Sequence, residues 1–211
     1  PGEGVVLGIE ASYDGGEVTV QGVYVVGDSP NESFVYFSTT NTVDWATTTL
    51  VTGMNGGMGL TSFAIDQSHR AGFLYYDTDT TTSTFLYHNA NDSWSTSTLS
   101  ATDQSNSGGP DLHFYENSPY LIYTVGDSTA NIAYSTSSPY TFSQLTDVGE
   151  GQTVTSGSRM SVAYDDGNSV VAFVMPTASN TLYFATSSLA LSVVEEEECD
   201  GSLSSITDTV S

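Results

Sequence analysis

Four carboxylates recur at nearly constant spacing: Asp14, Asp66, Glu116 and Asp165, separated by 52, 50 and 49 residues. Each closes a short run of apolar and aromatic residues: Ala11-Ser12-Tyr13-Asp14, Phe63-Ala64-Ile65-Asp66, His113-Phe114-Tyr115-Glu116 and Val162-Ala163-Tyr164-Asp165. Gathered into a ring, such acids can seat Ca²⁺, because a hard cation takes several oxygen ligands. Each also stands where a turn is expected, and Asp in a turn bonds its own backbone without any metal. No stretch has the spacing of an EF-hand loop, so turn chemistry is the first expectation and a calcium site the second. A further acidic row, Asp28, Asp79 and Asp127, breaks at Thr177 in the fourth copy.

Aromatic residues repeat in step with the acids. Trp45, Trp94 and Phe142 hold one position, where the fourth copy has Leu191. A sugar ring can stack on such a face, and the same recurrence suits wedges buried between twisted sheets. His88 departs from its own row, whose other members are Phe37, Tyr134 and Phe184. Trp45, Trp94 and His88 are therefore the candidate ligand-binding residues, and Asp14, Asp66, Glu116 and Asp165 the candidate metal ligands. Asn31-Glu32-Ser33 and Asn91-Asp92-Ser93 supply two candidate glycosylation sites, at Asn31 and Asn91.

Several chemistries find little support. Twenty-five acidic residues face only Arg70 and Arg159, with no lysine, for a net charge of −23. Nucleic acid and anionic lipid both need Lys and Arg to displace counterions, so neither is an expected partner. Apolar runs reach only about six residues, as in Val170 to Met175, against the roughly 18 that suggest a membrane-spanning helix. Two arginines, placed before one copy's first strand and after another's, cannot form a carboxylate clamp. His69, His88 and His113 occupy three different repeat positions, and no Gly-x-Ser-x-Gly elbow occurs. The lone Cys199 lies among acids, which raise a thiol's pKa, and it has no disulfide partner within the chain. A paired-carboxylate hydrolase stays open, because the separation of two acids is invisible in sequence. No cofactor is required, with Ca²⁺ the one ion to consider.

The elements that must position these residues follow from the same period. Tyr24, Tyr75, Tyr123 and Phe173 are 51, 48 and 50 residues apart, and the row through His88 steps by 51, 46 and 50. In the second copy, strands are expected at Leu60 to Asp66, Gly72 to Asp77, Thr84 to Asn89 and Trp94 to Leu99, with turn residues between them. No segment shows helical periodicity. Four short strands per unit of about fifty residues is the mark of a β-propeller blade. The expected fold is all-β: four antiparallel blades of four strands, in one domain over 1–211 with repeats near 5–59, 60–109, 110–157 and 158–211. Strand A is expected innermost. The ring either closes on four blades or forms part of a larger one, with Ser202 to Asp208 able to start a fifth inner strand. A chain that starts at Pro1 has either lost a signal peptide or belongs to a longer product.

The second copy carries a resemblance: Phe63-Ala64-Ile65-Asp66, Phe73-Leu74-Tyr75-Tyr76-Asp77, Phe85-Leu86-Tyr87 and Asn91-Asp92-Ser93-Trp94. This layout resembles secreted bacterial and archaeal β-propeller repeats, which are similar in layout to sialidase-type propellers. The sialidase Asp-box, Ser-x-Asp-x-Gly-x-Thr-Trp, is intact nowhere, so the resemblance implies a fold and no catalytic residues. The expected function is non-catalytic recognition or adhesion at the cell surface or outside the cell, with a glycan or a surface protein as partner. The alternatives are a structural subunit of an extracellular layer, sheath or filament that contacts copies of itself, and a glycoside hydrolase. Function is expected where the repeat breaks: at His88, at Thr177 and along Glu195 to Glu198.

Overall fold

The structure is a computed structural model that describes residues 5–28, 31–41, 43–54, 61–77, 79–99, 108–125, 129–135, 140–145, 148, 150–155, 158–165, 170–177, 179, 181–188 and 195–197. All its regular elements are strands. Sheet 1 holds β1 (Val5–Asp14), β2 (Glu17–Val26), β3 (Glu32–Thr39) and β4 (Ala46–Met54). Sheet 2 holds β5 (Thr61–Ile65), β6 (Ala71–Asp77), β7 (Thr82–His88) and β8 (Trp94–Thr98). After β9 (Gly108–Gly109), sheet 3 holds β10 (Asp111–Tyr115), β11 (Ser118–Val125), β12 (Thr129–Tyr134) and β13 (Ser143–Leu145). After β14 (Ser158–Arg159), sheet 4 holds β15 (Ser161–Asp165), β16 (Val170–Pro176), β17 (Leu182–Ser188) and β18 (Glu195–Glu197). Each sheet is an antiparallel meander in chain order, and β9 pairs β14 in parallel.

Two details depart from the expected strands. The second strand of sheet 1, expected from its pattern at Gly22 to Val26, starts five residues earlier at Glu17, because Gly15 and Gly16 take φ of 56° and 104° and close a tight hairpin after Asp14. Such a turn needs positive φ, which glycine adopts without strain. The β9–β14 pair was not foreseen; it rests on two residues from each side, too few to give a periodic signal. Asp127, Leu191, Glu198, Cys199 and Ser202 to Asp208 lie outside the described residues.

The core lies between the sheets. The side of each sheet that meets the next sheet in sequence is here its back, and the opposite side its front. The back of sheet 1 (Val23, Val25, Phe34, Tyr36) meets the front of sheet 2 (Phe63, Phe73, Tyr75, Leu86). The back of sheet 2 (Ala64, Leu74, Phe85, Tyr87) meets the front of sheet 3 (Leu112, Phe114, Leu121, Tyr123). The back of sheet 3 (Tyr120, Ile122, Ala130, Ile132) meets the front of sheet 4 (Val162, Val171, Phe173, Met175). The middle sheets are thus buried on both sides, which is why β6 and β11 are continuous rather than alternating apolar runs. At roughly 25 cal/mol per Å² of apolar surface buried, these three interfaces dominate stability.

The first strand of each sheet is the inner one, and β1, β5, β10 and β15 neighbour one another in that order. A polar row links them. Glu10 Oε2 accepts from the Ile65 backbone N–H at 3.1 Å, and Ser62 Oγ accepts from that of Leu112 at 3.0 Å. Asp111 Oδ2 accepts from Val162 N–H and from Ser161 Oγ, each at 3.1 Å. Glu10, Ser62, Asp111 and Ser161 are spaced by 52, 49 and 50 residues. Inner edges that would otherwise carry unpaired N–H groups are satisfied across the gaps between sheets.

Candidate ligand cleft between the first two sheets

A cleft of about 470 Å³ opens where the back of sheet 1 meets the turns of sheet 2, with Gln21, Tyr36, Arg70, His88 and Asp92 among its lining. Its floor is a chain of hydrogen bonds. Tyr36, buried on β3, donates its hydroxyl to Gln21 Oε1 at 2.8 Å. Gln21 Nε2 in turn donates to the backbone oxygen of His69 at 2.9 Å, which pins the β5–β6 turn to sheet 1.

That turn is organised by Asp66. The Asp66 N–H donates to Arg70 O, and Asp66 O accepts from His69 N–H, while His69 sits at a φ of 60°. The Asp66 side chain is fully buried and accepts from Arg70 N–H at 2.9 Å and from Tyr87 OH at 2.7 Å. Arg70 Nη2 stands 3.1 Å from the same carboxylate, and the guanidinium lies 5.1 Å above the Tyr87 ring. Burial first, and then hydrogen bonds with Tyr140 and Asp66, hold the Tyr87 phenol protonated far above its ordinary range. The arginine is therefore fixed before any ligand arrives. Its side chain is about a quarter exposed, and its buried Nε has no hydrogen-bond partner.

The opposite wall comes from the β7–β8 turn. His88 stacks on Trp94 with ring centroids 5.0 Å apart and tilts against Tyr36 at 5.5 Å. Burial pushes its pKa down; Asp92 pulls the other way, and the charge of Arg70 adds to the lowering. The imidazole is neutral at pH 7, with Nε2 3.7 Å from Asp92 Oδ1. Asp92 has a φ of 58° and a side chain that is 97% exposed. Its position is held by its own N–H bond to Asn89 O and by Asn89 Nδ2 reaching Ser93 and Ser95.

The sequence-derived candidates fall in different places. His88 and Trp94 come together, with Trp94 behind the histidine and edge-on to Tyr36 at 5.1 Å. Trp45 lies on the front of sheet 1 against Phe37 at 5.4 Å, away from the cleft. Of the four acids, Asp66 is the buried hub just described. Glu116 has a φ of 53° and its backbone oxygen takes Gln67 N–H at 2.7 Å. Asp14 ends β1 and Asp165 ends β15. Among the described residues no three His, Cys, Asp or Glu side chains converge in a way that can hold a metal ion. Asn31 and Asn91 are exposed, and Asn91 Oδ1 accepts from Ser93 N–H and Oγ. Sequence reasoning missed Gln21 and Tyr36, which carry no local signal, and set Arg70 aside. The four-residue step from Asp66 to Arg70 was the legible clue to their pairing.

No protein-family model and no curated protein matches the sequence. Among solved structures, the crystal structure of a fungal lectin from Aleuria aurantia, described as a six-bladed β-propeller with a novel fucose recognition mode, superposes with a TM-score of 0.59 at 12% identity, covering 85% of this chain and 56% of the lectin. A mutant of the same lectin in complex with alpha-methyl-L-fucoside gives 0.57 at 13% identity, with the same two coverages. The chain thus spans little more than half the length of these lectins. Its fold is all-β, and its structural neighbours are β-propellers. Four four-stranded antiparallel sheets follow one another along the chain, with the cleft in the gap between the first two.

Proposed function

We propose that this chain is a non-catalytic carbohydrate-recognition module of an extracellular β-propeller protein, and that it binds sugar in the cleft between sheets 1 and 2. The observation that carries the reading is the prearranged polar set in the cleft. Arg70 is immobilised by Asp66 and Tyr87 with about a quarter of its side chain exposed, neutral His88 lies alongside, and Asp92 offers a solvent-facing carboxylate. Sugar hydroxyls both donate and accept, so fixed donors and an acceptor that lose little entropy on binding suit them. The neighbouring fold is that of a lectin whose own description names fucose. Asp92 is the only acid among the described residues lining the cleft, whereas glycoside hydrolysis takes two carboxyls flanking the bond. The reading therefore favours binding over cleavage, and it calls for no metal.

Titration calorimetry with a panel of methyl glycosides, including methyl α-L-fucoside, tests it. The expected result is saturable binding by at least one sugar, unaffected by EDTA and reduced more than tenfold by Arg70→Ala. Absence of heat with every sugar up to millimolar concentration, or binding that Arg70→Ala leaves unchanged, would sink the assignment.

A further inference from the structure

With its histidines neutral, the cleft has two charged side chains among its described lining residues, Arg70 and Asp92. They are not equivalent. Arg70 is already compensated: the fully buried Asp66 carboxylate stands 3.1 Å from Nη2, and the guanidinium lies over the Tyr87 ring. Asp92 has no such counter-charge. Its side chain is 97% exposed, and among the described residues the one basic side chain within 4.0 Å is His88, at 3.7 Å, which burial keeps neutral at pH 7.

The rest of the molecule adds to the imbalance. Arg159, the other arginine of a lysine-free chain, lies on β14, which pairs β9 outside the first two sheets. The chain as a whole carries −23, and a cleft focuses the field of the charges around it. An arginine in a cleft ordinarily invites a carboxylate, because its forked donors match two oxygens. Here the charge of Asp66 cancels that attraction at a distance, and the charge left over belongs to Asp92. Arg70 still donates to neutral oxygens, which need no net charge to accept.

We propose that the cleft selects basic sugars: a hexosamine with a free amino group binds better than the matching neutral hexose, and a uronic acid binds worse. This rests on the reading of the cleft as a sugar site and names the class of sugar that it takes. The ammonium group pairs with Asp92 at the solvent-facing side of the cleft, while the ring hydroxyls meet Arg70 and His88. A sugar carboxylate meets the same uncompensated acid and is repelled. Because Asp92 is exposed, each step of this preference is about threefold to fivefold, the upper range of a solvent-exposed ion pair.

Titration calorimetry at low salt and pH 7, where an amino sugar is mostly in its ammonium form, tests this. Three methyl glycosides are compared in each of the gluco and galacto series: the 2-amino-2-deoxy sugar, the neutral hexose and the 6-carboxylate. The expected order of affinity in at least one series is amine above hexose above acid, with both steps shrinking in molar NaCl. Asp92→Asn, which suits the φ of 58° at this position, is expected to bring the amine-to-acid ratio from about tenfold to below about threefold. Asp79→Asn removes one charge on the exposed β6–β7 turn, at the end of sheet 2 away from the cleft, and leaves the ratio as it is. Equal affinities for amine and acid, an acid that binds best, or a ratio that Asp92→Asn does not move or Asp79→Asn lowers equally overturns the selectivity and leaves a sugar site standing. The same holds if methyl α-L-fucoside binds and no member of either series does. If no sugar of any kind binds, the sugar site and its selectivity fail together.

Discussion

The junction between sheets 2 and 3 and the junction between sheets 1 and 2 are built from the same repeat positions, yet one is filled and the other is open. In the first, Phe142 lies edge-on to Phe85 at 5.5 Å, and two residues earlier Tyr140 stands edge-on to Tyr87 at 4.7 Å. The Tyr140 hydroxyl donates to Asn117 O at 2.9 Å, so that ring is both packed and satisfied. In the second, Trp94 takes the place of Phe142, and two residues earlier stands Asp92, pointing to solvent. One position decides whether the space holds a phenol ring or stays open. A repeat keeps its wedge aromatic for stability and gains an open cleft by giving up the neighbouring ring.

The largest effect is expected where the filled junction is emptied. Tyr140→Ala removes a buried ring on which Phe85, Tyr87 and Phe142 all pack. Deleting a buried aromatic costs about 3–5 kcal/mol. Urea unfolding should show a loss of that size, and a loss below about 1 kcal/mol would mean that the ring only covers the junction. Next comes the hub behind the open junction. Asp66→Asn leaves Tyr87 an acceptor but deprives Arg70 of its counter-charge. Breaking a fully buried pair costs about 3–5 kcal/mol, and partial exposure of Arg70 lowers the expectation to about 2 kcal/mol. Sugar affinity should fall with it, and an unchanged affinity would show that Arg70 needs no anchor.

The third change converts one junction into the other. Asp92→Tyr places the filling residue of sheets 2 and 3 between sheets 1 and 2, where Tyr36 and His88 line the space. Sugar binding is expected to drop more than tenfold, which is at least about 1.4 kcal/mol, while the melting temperature holds or rises. Binding that survives with the cleft filled would move the sugar site elsewhere.

How much of this was legible in the sequence divides along the same line. The rows through Tyr24, Phe37 and Trp45 announced the sheets, because a strand buried at one interface per repeat must carry large apolar groups at a fixed period. The ends of β5 to β8 fell within a few residues of expectation for the same local reason. Asp66 was read as a turn acid, and it does bond its own turn through Arg70 N–H. Its contact with Tyr87 depends on how a turn folds back over a neighbouring strand, which no spacing encodes. The cleft was less visible still. It arises from a missing ring at Asp92, and an absence in a repeat of variable turns leaves no periodic mark. The inner row of Glu10, Ser62, Asp111 and Ser161 kept its period throughout, but its chemistry is mixed, and only the placement of one sheet beside the next reveals that it bonds backbone across the gap.

That inner row supports the smallest and most exacting prediction, which contrasts the acid-lined inner edge with the aromatic junctions outside it. Burial raises the Glu10 pKa; the bond from Ile65 N–H lowers it, and the charge of Asp111 raises it again. A carboxyl with a raised pKa binds its proton more tightly in the folded chain than in the unfolded one. Its ionisation therefore costs stability as pH climbs from the unfolded value through the folded one, and costs nothing below both. Glu10→Gln keeps an oxygen for Ile65 N–H and cannot ionise. At pH 7 the variant should be more stable than the parent by less than about 1 kcal/mol, since the site is only half-buried. The difference should close as pH falls below the ordinary carboxylate range. If the variant is instead the less stable at pH 7, the charge on Glu10 strengthens its bond to sheet 2 by more than burial costs, and the inner edge is held by the same charge-assisted bonding that fixes Arg70 in the cleft.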